Sequence, residues 1–595
     1  MREYPEHDPT RIVLRLLATS DVHMHLTGWD GRADDAATLR GFNRVASVIR
    51  AARADAPGPV LLLDNGDSLQ GTPLGEVAAG MAGQHPWAAQ LDALDYDVVG
   101  LGNHDFDFGL ETLAAFCGAT RAQVVSASPD RPLPDVAPYV IIDRPVSAPS
   151  GEAHLLRVGV TSVLPPETLT WNHAHLVGKV AFHGGVEATT RAVAALRDQG
   201  ADVVVVLCHS GISNTSVQDD ENFGCALART VAGVDAMILG HTHERFPDTG
   251  YDHVDGVDAD QGTLFGVPAA MPGYAAALLA QIDLVLEHGP DGWRVNGHSV
   301  RLHDLDDVQP DPDATRLAAP CIAATRARMQ TVVGRTGHSF HSYFAMLQSG
   351  TAEAVVADAM RHSVESAVKD TDMATLPVLA AIAPAAAGGR AGPRNFVTAP
   401  KGDIQARHLA MLCPYQNTVW AQRMTGESIR AYLERSAEFF APCATGLGPL
   451  IAPTAPAFNF DTVHGLHVTF DPFAPAGARV VDLTHDGVPV APDELFLVAM
   501  TSYRGAGGGD FPGLDEPAAL QLDAPVVDAL RSYLASRPLG STQAPSVWSF
   551  ARGTARQVIV ETSPRAANHL EDIAHFRPEP VGLTDAGFMS MRVTL

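Results

Sequence analysis

The sequence predicts an α/β fold in at least two domains, and three observations carry that reading. Length is the first, because 595 residues exceed what a single hydrophobic core spans. The second is the first half of the chain, where short β-branched apolar runs alternate with amphipathic stretches, the pattern of layered α/β domains. The third is that a cluster of Asp, Asn, His and Gly follows each apolar run. Open α/β sheets build their sites at the C-terminal ends of their strands.

Strands are predicted at residues 12–18, 60–63, 98–100, 203–207 and 236–239, with amphipathic helices at 40–54 and 185–199 between them. Near residues 300–312 the pattern breaks into polar residues and prolines, and a helix is predicted over 317–335. This divides the chain into a first domain over 1–305, a linker with a helix over 306–341 and a second domain over 342–595. In the second domain helices at 351–368 and 426–440 mix with short strands near 466–470 and 495–499. No internal repeat is visible.

Composition narrows the function classes. With 46% hydrophobic and 18% charged residues the chain is not largely disordered. A formal net charge of -27 argues against nucleic-acid polymers, whose binding relies on Lys and Arg neutralising phosphates. A single nucleotide is compatible with it, held by a local metal or Arg cluster. Cys117, Cys208, Cys225, Cys321, Cys413 and Cys443 show no CxxC spacing and read as reduced, buried thiols. No run approaches the ~20 apolar residues of a membrane helix, and the N-terminus carries no apolar segment after a basic start. As written, the chain reads as a cytoplasmic monomer with no membrane partner.

Five segments carry the chemistry: Asp21-Val22-His23; Asp64-Asn65-Gly66-Asp67; Gly102-Asn103-His104-Asp105; His209; and Gly240-His241-Thr242-His243. Any one polar residue here is more often a cap or turn residue than a ligand. Five such clusters, each at a predicted strand end, point instead to a shared site. Two divalent ions about 3.5–4 Å apart can clamp an in-line phosphoryl displacement. A carboxylate must then serve both ions, and Asp67 is the residue assigned. Imidazoles and a neutral Asn carbonyl complete the shells without cancelling the positive charge, while the glycines let the backbone turn sharply beside them.

This order of motifs resembles the calcineurin-like metallophosphoesterases, and the longer context is similar to the bacterial 5'-nucleotidase family. The nearest likeness is to its branch of 2',3'-cyclic-nucleotide 2'-phosphodiesterase/3'-nucleotidases. Beyond the ligand clusters it is carried by Ser68-Leu69-Gln70-Gly71-Thr72-Pro73-Leu74-Gly75, Phe106-Asp107-Phe108-Gly109 and Gly266-Val267-Pro268 with Met271-Pro272-Gly273. In the second half, Gly388-Gly389-Arg390, Pro414-Tyr415-Gln416-Asn417-Thr418 and Thr501-Ser502-Tyr503-Arg504 also fit. The likeness runs from about Leu14 to the C-terminus.

The resemblance implies a four-layer sandwich of two mixed sheets flanked by helices, followed by a C-terminal α/β 5'-nucleotidase domain that binds substrate. It implies two divalent ions (Mn, Zn, Co or Fe), one held by Asp21, His23, Asp67 and His243, the other by Asp67, Asn103, His209 and His241. His104 would be the catalytic histidine at the leaving oxygen, oriented by Asp107. A base would be sandwiched between Tyr503 and Tyr415, with Phe458 and Phe460 as alternative faces, and Arg390 and Asn417 would contact phosphate or ribose. The implied reaction is hydrolysis of 2',3'-cyclic nucleotides to 3'-nucleotides and of these to nucleosides. Alternatives are a 5'-nucleotidase or UDP-sugar hydrolase, the related sulfur-oxidation thiosulfohydrolase, which should lack the aromatic clamp, and a non-catalytic nucleotide binder, which should have lost ligands. Three features depart from the family pattern. Ser128 stands where Asn is more usual, Gly507-Gly508-Gly509-Asp510 is loosely spaced as a ribose contact, and no export signal is visible although relatives usually act in the periplasm.

Overall fold

Burial on both faces marks the first strands. Arg11–Thr19 is buried throughout from Leu14 onward, and Val203–Cys208 is buried at every position. Such strands lie inside a layered structure, covered on each side. The computed structural model describes residues 11–35, 40–147, 153–213, 221–290, 292–441, 447–452, 456–514, 516–551 and 556–595. The chain divides into two units, Met1–Ala327 and Arg328–Leu595.

Among its described residues the first unit holds a six-stranded and an eight-stranded sheet, each mixed. In the first, Arg11–Thr19, Val60–Asp64, Val98–Gly100 and Gln123–Val125 run parallel, and the hairpin Leu279–Gly289/Gly292–His303 adds antiparallel strands at one edge. In the second, Ala153–Val163, Val203–Cys208, Ala236–Leu239 and Val267–Pro272 run parallel. Alternation along the strands sorts side chains between cores. Leu14, Leu16, Leu61, Leu63, Val205 and Ile238 meet between the sheets. Leu17 and Leu62 point to the opposite face, beneath the helices Phe42–Ala54 and Pro86–Ala93. Val204, Val206 and Met237 point outward from the second sheet, against the helix Gly185–Asp198. The expected helix–sheet–sheet–helix layering is therefore present.

The helix expected over 317–335 forms as Pro312–Met329, and residues 332–336 are a strand instead. Asp311 Oδ1 accepts from the N–H of Asp313 and Ala314, and Pro312 opens the first turn, so this end is fixed by an Asp-Pro start. Ala314, Ala318 and Cys321 bury this helix against the first unit's core. Strand Val332–Thr336 pairs with Gly402–Gln405, a partner about 70 residues away along the chain that local periodicity does not reveal.

The second unit is built on the five-stranded sheet Thr462–His464, Val378–Ile382, Leu495–Thr501, Thr418–Thr425 and Leu520–Pro525, in that spatial order. Helices Thr351–Val368 and Val526–Ser536 cover one face. Helix Gly426–Ala437 and an aromatic core around Phe440, Phe460, Phe470 and Trp548 cover the other. Among the described residues Cys117, Cys208, Cys225, Cys321 and Cys413 are all free thiols, and Cys443 lies outside them. No helix of the described residues is long and apolar enough to cross a membrane.

Candidate functional site

The turns that leave the parallel strands of both sheets carry the five clusters, and their backbone is unusual. Asp21, His23, Asp67, His241 and His243 all take positive φ, between 48° and 71°. Non-glycine residues avoid this region, and such strain persists where the surrounding structure over-determines it, often at functional sites. Glycine provides the room. A Cβ at Gly102 would fall 2.3 Å from Asp67 Oδ1, and one at Gly66 would fall 2.2 Å from the Gly102 nitrogen. The Asp67 and Asn103 turns therefore touch backbone to backbone.

Two groups of side chains converge. Asp21, His23 and His243 bring ligand atoms within 4.8 Å of one another, and so do Asp67, His209 and His241. Asp67 connects the groups, since its Oδ2 lies 3.1 Å from His209 Nε2 and 3.8 Å from His23 Nε2. Asn103 joins the second group, with Oδ1 2.9 Å from His241 Nδ1.

Hydrogen bonds around the rim fix the tautomers. His23 Nδ1 donates to the Gln70 carbonyl at 2.7 Å and His209 Nδ1 to that of Asn65 at 2.8 Å. His241 Nε2 donates to Glu221 at 3.0 Å. A neutral ring has then spent its proton, and its bare nitrogen faces inward. His23 Nε2 lies 2.9 Å from His243 Nε2, which can donate to it, whereas His209 Nε2 faces Asp67 Oδ2 and His241 Nδ1 faces Asn103 Oδ1. Buried His209 Nε2 and Asp67 Oδ2 make no hydrogen bond. Lone pairs facing one another at hydrogen-bond distance are unfavourable unless positive charge lies among them. Without an ion a proton supplies that charge. Burial pushes the His209 pKa down, but Asp67 and Asp21 outweigh it and raise it to about 10. The donor set of imidazoles, carboxylates and one amide oxygen fits divalent transition metals.

His104 sits at the edge of the cluster, its ring 5.3 Å from that of His23 and a quarter exposed. Its backbone N–H donates to Asp67 Oδ1 at 2.7 Å, and Nδ1 donates to Asp107 Oδ2 at 2.9 Å. Burial works against a charged ring, yet Asp107 and Asp67 prevail and raise its pKa to about 9. Asp107 thus favours the charged form of the ring and fixes its orientation, leaving Nε2 on the side away from Asp107.

Several contributors escaped the reading of the sequence. Asp105 accepts backbone N–H bonds from Asp67, Ser68, Leu69 and Gly102 at 2.9–3.0 Å, which shapes the Asp67 turn. Trp171 stacks on His241 at 5.2 Å and Tyr274 on His243 at 4.7 Å, so flat faces fix both outer imidazoles. Tyr274 directly follows the Met271-Pro272-Gly273 loop, which was the available signal. Ser128 bonds to the backbone N–H of Leu164 and so closes the loop that leads to Trp171.

In the second unit Tyr503 is the second residue of the short helix Ser502–Gly505. Asn417 Oδ1 accepts from the Tyr503 N–H at 3.1 Å and from Ser502 Oγ at 3.2 Å, so Asn417 holds the turn that presents Tyr503. Gly508 backs the ring, because a Cβ there would fall 2.5 Å from Tyr503 Cζ. This gives the glycine run a reason. Beside it, Arg504 pairs with buried Asp461 at 2.9 Å, bonds the Phe458 carbonyl and lies 5.5 Å over the Tyr503 ring. Tyr415 and Phe458 are each 46% exposed, whereas Phe460 is fully buried. Phe460 is thereby corrected as an alternative stacking face, since it packs against Phe439, Phe440 and Trp548 in the core. Asp510 turns with φ 55° and is exposed. The Arg390 side chain lies outside the described residues.

Comparison with known proteins agrees with this architecture. Residues 14–245 match the calcineurin-like phosphoesterase family and residues 332–516 the 5'-nucleotidase C-terminal domain. The chain is 32% identical to the 2',3'-cyclic-nucleotide 2'-phosphodiesterase/3'-nucleotidase of Haemophilus influenzae, across 98% of this chain and 95% of that one. It is also 32% identical to the enzyme of the same name from Salmonella typhimurium, across 98% and 96%. Among solved structures, the 5'-nucleotidase precursor of Thermus thermophilus superposes with a TM-score of 0.61 at 22% identity, covering 91% of this chain and all of that one, a likeness of fold.

Proposed function

Because the chain belongs to the 5'-nucleotidase family of calcineurin-like phosphoesterases, we propose that it hydrolyses 2',3'-cyclic nucleotides to 3'-nucleotides, and 3'-nucleotides to nucleosides. The observation that carries the reading is the convergence of bare imidazole nitrogens on Asp21, Asp67 and Asn103, the donor set that two divalent ions need. Asp21, His23, Asp67 and His243 would hold one ion, and Asp67, Asn103, His209 and His241 the other. Imidazole, carboxylate and amide oxygen together suit Mn, Zn, Co or Fe. When bound, such a pair polarises the phosphoryl group and provides a nucleophile at neutral pH.

The chain's own residues do the rest. Asp105 fixes the Asp67 turn, and the Gln70 and Asn65 carbonyls aim the Nε2 atoms of His23 and His209 inward. His104, charged through Asp107, donates from Nε2 to the departing oxygen. The same geometry serves both reactions, since each releases an alkoxide that must be protonated. For recognition of the nucleoside we assign Tyr503 and Tyr415 as stacking faces, with Arg390 at the phosphate and Asn417 acting through Tyr503. The sulfur-oxidation chemistry is disfavoured by this aromatic pair.

A substrate panel on metal-reconstituted protein tests the reading. Turnover of 2',3'-cyclic AMP and 3'-AMP should exceed that of 5'-AMP and UDP-glucose, and the reverse order would replace the proposal with a 5'-nucleotidase. Tyr503→Ala separates the roles of the residues. Stacking a base on an aromatic ring is worth about 1–3 kcal/mol, so kcat/KM on 2',3'-cyclic AMP should fall about ten- to a hundredfold. Hydrolysis of bis-nitrophenyl phosphate, which has no base, should barely change. Equal loss on both substrates would make Tyr503 a packing residue.

A further inference from the structure

A third convergence of ligand side chains lies wholly within the second unit and takes no part in the chemistry above. His341 from the strand Phe340–His341 meets His569 and Asp572 from the 3₁₀ segment Pro564–Phe576, their ligand atoms within 4.8 Å of one another. We propose that these three residues bind one zinc-class divalent ion, which clips the start of the second unit to its C-terminal segment.

Spacing along the chain supports the site. In a 3₁₀ segment residues i and i+3 eclipse, so His569 and Asp572 project from the same side. A strand 228 residues earlier in the chain supplies the third donor. Distances fit as well. Ligands about 2.0–2.1 Å from a tetrahedral zinc stand about 3.3 Å apart. Asp572 Oδ2 lies 2.9 Å from His341 Nε2 and 4.0 Å from His569 Nδ1, values on either side of that separation. The imidazoles meet edge to face with centroids 4.4 Å apart.

A simple hydrogen bond between His341 and Asp572 would explain one imidazole. It gives no reason for the second, which approaches the same carboxylate oxygen and would repel the first if both were charged. A cation gives all three one purpose. Access is graded too. The His341 side chain is 9% exposed, Asp572 27% and His569 37%, so the site is walled at one end and open at the other. The Tyr343 ring, 4.7 Å from His341 and 5.5 Å from His569, forms part of that wall. Three protein donors leave a fourth position for water.

The test counts metal directly. The full chain, stripped with chelator and reloaded with zinc alone, is freed of excess by gel filtration and its zinc measured per chain. His569→Gln and Asp572→Asn, both at partly exposed positions, should each bind one zinc fewer than the parent. Their hydrolysis of bis-nitrophenyl phosphate should be unchanged. Zinc should also raise the melting temperature of the stripped parent by several degrees more than that of either variant. His341→Ala removes the buried donor, and its loss of the same single ion would add support if it folds. Parent and variants binding equal zinc would overturn the site, as would equal zinc-induced shifts in melting temperature.

Discussion

Asp67→Asn should retain the fold, lose most bound metal and turn over substrate more than about 10³-fold more slowly. Removing a single electrostatic donor at a reacting centre costs about 10²–10³, and Asp67 does more than one such donor. Its Oδ2 faces His209 of one group and His23 of the other, and its Oδ1 accepts from the His104 backbone. Burial opposes its charge, yet His209, His104 and His23 hold its carboxyl well below the usual range. An amide of the same shape keeps one acceptor oxygen and loses the charge that two cations would share. Metal per chain and kcat measured on one preparation decide the matter. A fully active parent with no more than one ion per chain would end the two-ion reading, as would an Asn variant that keeps both metal and rate.

The first unit was legible because its signals are local. Val203–Cys208 and Ala236–Leu239 are unbroken apolar runs that end in polar turns, and strands buried on both faces must read that way. The polar clusters that converge were legible for the same reason, since each lies within a few residues of a strand end. The hairpin strand Gly292–His303 was not, because its exposed alternation places Arg294, Asn296, His298 and Arg301 among few apolar residues. It reads as the polar break that was expected to begin near residue 300. Glu221, Trp171 and Tyr274 were equally hidden. Each is an ordinary residue until the fold stacks it on, or bonds it to, an imidazole distant in sequence. In the second unit, Phe458 and Phe460 are two residues apart in the same motif. Only packing shows that the first is exposed and the second lies in the aromatic core.

His104→Ala should lower kcat on 2',3'-cyclic AMP by about 10²–10⁴-fold, the range of a lost general acid, and leave KM nearly unchanged. The argument rests on where the proton sits. Nδ1–H is committed to Asp107 at 2.9 Å, and carboxylates overcome the burial penalty to raise the ring's pKa to about 9. A ring charged in this way can give the Nε2 proton to an oxygen that leaves with negative charge. A ribose oxygen is a poor leaving group and needs that proton. A nitrophenolate is a good one and needs it far less. The loss should accordingly shrink on bis-nitrophenyl phosphate, by about tenfold or more relative to the cyclic nucleotide. Asp107→Asn should follow the same pattern more weakly, since it removes the charge that favours the imidazolium but keeps the ring. The His104 backbone N–H holds Asp67 with any side chain at this position, so metal content should stay at the parent value. That separates a chemical role from a structural one. A variant that loses metal would show His104 to be a support of the site, and equal losses on good and poor leaving groups would remove it as the acid.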